Sequence, residues 1–196
     1  MAGHAYVKHF GSVGAKPTQQ FFQTLSDGTL DDEDLGKIKS LRESTEVPQF
    51  DSPIRFGVPE SKFEVLRNEL KEAKGILVVP TKVHPILMKA EDRTDMYYVT
   101  TDTAWLENLS LLSYNFQMGS FSYPGIDADN WIQHYISTSD KNERMKLLRS
   151  LHFNILKNAS IVPIEVAPFY GIAKPGWKLN QSKVAVGNDL WLIRRR

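Results

Sequence analysis

The clearest pattern in the chain is a change of hydrophobic period between residues 53 and 83. Ile54, Phe56 and Val58 alternate with other residues, the period of a strand. From Phe63 the apolar positions Leu66, Leu70 and Ala73 step by three or four, the period of a helix face. Ser61-Lys62-Phe63-Glu64 reads as a capping box before that helix, Gly75 as its stop, and Ile76-Leu77-Val78-Val79 as a buried strand immediately after it. A strand–helix–strand unit of about 30 residues is long enough for a parallel pair joined by a crossover.

The same reading extends to both sides. Asp31 caps a short helix over roughly 31–43, with acidic residues in its first turn, a staple between Leu30 and Leu35, and Leu35, Ile38 and Leu41 on one face. Before it, glycines and Pro17 mark a loop-rich opening segment. Val47–Ser52 reads as a linker, and residues 84–94 as a short amphipathic stretch. Met96–Val99 is a further strand. Asp127 caps a helix carrying Trp131, Ile132, Tyr135 and Ile136. Asp140-Lys141-Asn142-Glu143 opens a long helix to about Asn158. Ile161–Val166, Val184–Val186 and Leu190–Ile193 read as closing strands. This order predicts an α/β domain with a partly mixed sheet flanked by helices. Its divisions fall at 1–50 (opening segment with one short helix), 51–167 (α/β lobe) and 168–196 (crossover and terminal strands).

Composition narrows the chemistry. Apolar residues make up 41% of 196 residues, enough for a core, and 24 basic against 23 acidic residues give a formal net charge of +1. No electrostatic footprint for nucleic acid follows from that balance, and Arg194-Arg195-Arg196 reads as a solvated tail. The chain has no cysteine, which excludes disulfides, zinc–thiolate sites and thiol nucleophiles. No apolar run approaches the roughly 20 residues that span a bilayer, so no membrane insertion is expected. The five histidines, His4, His9, His84, His134 and His152, form no two-histidine helical metal motif and read as partly buried polar residues. No Gly-x-Ser-x-Gly elbow and no phosphate-cradling Gly-Lys-Ser/Thr loop occurs. Helix-dipole and capping roles account for the carboxylates at Asp31–Asp34 and at Asp127 and Asp129. The Asn-x-Ser sequons at Asn108, Asn158 and Asn180 are taken as chance. Neither catalysis, cofactor nor metal is expected.

One stretch remains. Trp105, Tyr114, Phe116, Phe121 and Tyr123 are interleaved with Asn108, Asn115, Gln117 and Ser120. Rings beside amide and hydroxyl partners suit an organic-ligand cleft; the same rings also suit a core beside a sheet.

Taken in series, these segments resemble the C-terminal lobe of a family 5 (oligopeptide-type) extracytoplasmic solute-binding protein. The resemblance rests on the helix Ser61–Lys74 followed by Gly75-Ile76 and a valine-rich strand, and on Asp127-Ala128-Asp129-Asn130-Trp131-Ile132 running to Ile136-Ser137-Thr138. It continues through Glu143-Arg144 with Leu147-Leu148 and Leu151, then Ile161-Val162-Pro163-Ile164, and Asn188–Ile193. It covers about residues 50–193. It implies a periplasmic-binding-protein-like (type II) lobe that forms one wall of a cleft for a small-molecule or peptide ligand. Trp105, Tyr114, Asn115, Phe121 and Tyr123 are the implied ligand-binding residues, with Pro168-Phe169-Tyr170 lining the crossing back. The implied partners are an N-terminal lobe of the same protein and an ABC-importer permease, in a periplasmic or extracytoplasmic setting. Two features depart from the family. The chain starts where the second lobe would start, without the larger lobe or a signal peptide; a complete chain of this form would be cytoplasmic. And Phe121-Ser122-Tyr123-Pro124 lacks the aspartate with which some members hold a peptide's amino group. The alternative the resemblance leaves open is the solute-sensing domain of a cytoplasmic transcription regulator.

Overall fold

The computed structural model describes residues 14–22, 28–46, 50–73, 75–82, 88–100, 108–166, 175, 177–178 and 194–195. In chain order its elements are β1 (Lys16–Pro17), α1 (Asp32–Ser44), β2 (Ile54–Pro59), α2 (Glu60–Glu69), β3 (Ile76–Thr81), a 3-10 turn (Ala90–Asp92), β4 (Met96–Tyr97), α3 (Asn108–Gln117), α4 (Ala128–Ser137), α5 (Lys141–Lys157), β5 (Glu165–Val166), β6 (Trp177–Lys178) and β7 (Arg194–Arg195). The chain is of the α/β class. Parallel and antiparallel pairings both occur, in separate sheets. The residues group into two compact units, Glu43–Thr101 and Met1–Arg42 with Asp102–Arg196. These bounds differ from those read in the sequence, because the helices after residue 108 and the opening segment share one core.

The first unit is the predicted strand–helix–strand. β2 and β3 run parallel in unbroken register from Ile54 opposite Ile76 to Pro59 opposite Thr81. β4 joins the other side of β2, also parallel, with Phe56 opposite Met96 and Gly57 opposite Tyr97. The order β3-β2-β4 places β2 in the centre. α2 packs on β2 and β3. Val58 is fully buried and Leu66 nearly so, which gives this unit its core. The start of α2 corrects the sequence reading. The helix begins at Glu60 with Pro59 at the N-cap and no side-chain cap bond. β2 runs straight into it, so Ser61 lies inside the first turn and cannot cap. α2 ends at Glu69; a turn through Ala73 then leads to Gly75, whose φ of +82° explains the glycine there.

The second unit is mainly helical. Its core joins Phe22, Leu111, Leu112, Phe116, Phe121, Tyr135, Leu148, Leu151 and Ile155. A smaller cluster of Leu30, Ile38 and Leu156, with Leu35 and Phe153 against it, seats α1 on α5 and contains both members of the predicted staple. Caps are made as read: Asp31 accepts from the Asp34 amide at 2.9 Å, Asp127 from Asn130 at 3.0 Å, and Asp140 from Glu143 at 2.9 Å. Arg149 of α5 reaches Asp31 at 2.7 Å and Asp34 at 2.9 Å. The Asp34 amide, and after it Arg149, hold the Asp31 carboxyl below its usual range. Arg42, on the last turn of α1, donates to the Leu156 carbonyl at the end of α5.

Of the predicted strand Ile161–Val166, only Glu165–Val166 pairs, antiparallel with Lys16–Pro17. β6 and β7 form a second antiparallel pair, Trp177 opposite Arg195 and Lys178 opposite Arg194. The closing strands read at Val184–Val186 and Leu190–Ile193 lie outside the described residues.

Candidate ligand-binding surface

The aromatic stretch singled out in the sequence resolves into three kinds of position. α3 turns Leu111, Leu112, Asn115 and Phe116 inward, the i, i+1, i+4, i+5 spacing of one helix face. Asn115 is 1% exposed, and its Nδ2 donates to the Leu111 carbonyl one turn back at 2.9 Å. Its own carbonyl accepts from the Ser120 amide at 2.9 Å, while the Gly119 amide donates to Phe116 at 3.0 Å. With Gly119 at φ +71°, these bonds make the left-handed close of the helix. Asn115 is therefore engaged at both ends in terminating α3.

Phe121 follows that turn with no exposed surface. It meets Phe21 at 5.3 Å, Phe22 at 5.6 Å and Phe116 at 5.5 Å, each edge to face. Its ring fills the core, the second of the two readings open in the sequence. Tyr114 and Tyr123 are half-buried, and burial pushes the Tyr123 phenol up from its ordinary value. Trp105 lies outside the described residues, as do Pro168-Phe169-Tyr170.

One half-open ring was not counted among the candidates, and it stacks on a buried one. Trp131, half-buried, lies 5.6 Å from Phe116 and stacks on Tyr135 at 5.4 Å with 11° between the ring planes. Their i, i+4 spacing on α4 was visible in the sequence. Their proximity to α3 was not, because helix-to-helix packing has no local signature. Ile126, Trp131, Ile132 and Tyr123 pack against the core while keeping part of their surface open. Of these, Trp131 and Tyr123 present partly open rings, which can stack on an apolar or planar group.

In the other unit, the carboxyl end of the parallel sheet is a second surface of interest, since ligands of open α/β sheets bind beyond those strand ends. Gly57 of β2 faces Thr81, Thr94 and Tyr97; a Cβ there would lie 2.5 Å from Thr94 Oγ1 and 2.9 Å from Thr81 Cγ2. Only glycine fits. The Thr94 amide donates to the Tyr97 hydroxyl at 2.7 Å, and the Thr94 hydroxyl to the Met96 carbonyl at 2.8 Å. These bonds hold the two hydroxyl groups beside Gly57, within the central strand.

The His152 ring is held by backbone groups at both nitrogens, at 3.0 Å and 2.7 Å. No set of three or more His, Asp or Glu that could hold a metal occurs among the described residues. No described helix is long and apolar enough to cross a membrane. No protein-family model matches this chain, and no curated protein matches it.

Proposed function

We propose that this chain binds an organic solute without transforming it, as one lobe of a solute-binding protein of the oligopeptide type. The observation that carries the reading is the parallel register Ile54–Pro59 on Ile76–Thr81, with β4 added to the far side of β2. The segments that resemble the family at Ser61–Lys74 and Gly75-Ile76 form this strand–helix–strand. Its carboxyl end is the place where folds of this class receive ligands. In the other unit, Tyr123 and Trp131 each keep part of an aromatic ring open against the core, side chains of the kind organic-ligand sites use. Phe121 and Asn115 are buried and do not touch the solute. A second lobe closes over the solute by a hinge; one lobe alone leaves much of the ligand in water and binds weakly.

A titration of the 15N-labelled chain with di- to pentapeptides, followed by NMR, tests this. Expected are fast-exchange shifts of the Glu60, Thr81 and Tyr98 amides, at millimolar peptide. Peptides that leave all of these unmoved, or that are cleaved during the titration, overturn the reading.

A further inference from the structure

Two short stretches, Thr18–Phe22 and Gly28–Leu30, are fastened to the helical core at one titratable group, His152. The imidazole is fully buried on α5. Its Nε2 lies 3.0 Å from the Phe21 amide, which donates to it. Its Nδ1 lies 2.7 Å from the Gly28 carbonyl, an acceptor only, so Nδ1 carries the proton. Phe22, 1% exposed, sets its ring 4.9 Å from the imidazole and enters the core beside Phe121. The two stretches also close on each other. Leu30 donates its amide to Gln20 Oε1 at 2.8 Å, and Gln20 Nε2 donates to the Leu30 carbonyl at 3.1 Å. The Thr29 hydroxyl donates to the Phe22 carbonyl at 3.3 Å. The pair thus forms a strap that packs Phe22 and Leu30 into the core and whose hydrogen bonds to His152 require one protonation state of the ring.

We propose that this strap is an acid-sensitive latch: proton uptake by His152 releases Thr18–Phe22 and Gly28–Leu30 from the core while α5 stays folded. A second proton must go to Nε2, where it would confront the Phe21 N–H donor, so the fastening bond is lost as the charge appears. The surroundings offer that charge little. Among the described residues, the strap contributes Phe21, Phe22 and Gly28. The core cluster that Phe22 joins is apolar apart from the phenol of Tyr135 on α4. On α5 itself Arg149 stands one turn earlier, occupied by Asp31 and Asp34 of the α1 start. Burial holds the imidazole below its ordinary value of 6.5, with the Gly28 carbonyl opposing in part. The sign follows. In the open strap the ring recovers its ordinary value of 6.5, and in the closed strap it takes up a proton less readily, so opening grows as pH falls below that value and is flat above it.

Hydrogen exchange of the intact chain between pH 7.5 and 5.5, corrected for intrinsic rates, tests the latch. The peptides covering Thr18–Phe22 and Gly28–Leu30 should lose protection by up to about tenfold per pH unit below 6.5, one proton per opening. The α5 amides should stay protected. In His152→Gln or His152→Asn, whichever folds, strap exchange should not depend on pH; His134→Gln, on the exposed side of α4, should keep the wild-type slope. A wild-type slope of zero, strap and α5 opening together, or a slope that survives loss of the imidazole each overturns the proposal. If neither His152 variant folds, the wild-type slope and the α5 protection decide.

Discussion

Among the described residues, Ala159 is the one whose backbone least suits its side chain. It sits at φ +53° just past α5, where the Ser160 amide bonds to Ile155 at 3.1 Å and the Ala159 amide to Leu156 at 3.2 Å. That is the same left-handed closure Gly119 makes after α3, carried out by a residue with a Cβ. Ala159→Gly should therefore stabilise the chain by about 1 kcal/mol, less the extra freedom glycine gains on unfolding. Chemical denaturation decides it: an unchanged or lower midpoint would mean the left-handed turn costs nothing. The two turns also show the limit of reading single residues. Gly119 announces its turn, whereas Lys157-Asn158-Ala159-Ser160 carries no glycine and gives away only an end to hydrophobic spacing. His152 is the sharper case. Its helix position was legible, yet its partners lie 131 and 124 residues away, so no local pattern could reveal what its nitrogens bond.

Among the elements, those with a cap or an unambiguous period were legible. α5 begins after Asp140 as its sequence requires, and α4 after Asp127. Asp140→Ala should cost about 1 kcal/mol by leaving the Glu143 amide without its acceptor. A thermal melt is sufficient to measure it, and an unchanged transition would show that water replaces the cap without loss. α2 was legible in its apolar face and misread at its start, because the strand before it supplies a proline N-cap that no side-chain motif marks. β1 was not legible: two residues of a glycine-rich segment pair with β5 shortly before Phe21 and Phe22 enter the core, and neither event has a local period. The aromatic stretch divides for the same reason. Periodicity places Phe116 and Asn115 on one helix face, but which rings stay open is set by Phe21 and Phe22, far earlier in the chain.

For the whole molecule, proton linkage through His152 has a global counterpart to its local one. A ring held neutral in the native state and free to titrate when unfolded contributes stability that is complete above its ordinary value of 6.5 and lost as pH falls toward the folded value. Urea midpoints should thus fall between pH 7 and pH 5.5, by up to about 1.4 kcal/mol of stability per unit. His152→Gln should flatten that fall. Equal wild-type midpoints at the two values would exclude the linkage. The parallel sheet of the other unit carries a different consequence. Ile54 donates to the Gly75 carbonyl at 2.8 Å, so by strand alternation Leu77 and Val79 turn their peptide groups toward β2 while Ile76, Val78 and position 80 turn theirs outward. Position 80 is proline, and the proline falls in the outward set, where it breaks no bond of the ladder. What it removes is a donor from the margin of this valine-rich strand that no other described strand pairs. Fibre-like growth, in which one molecule's margin templates the next, meets a missing rung at Pro80.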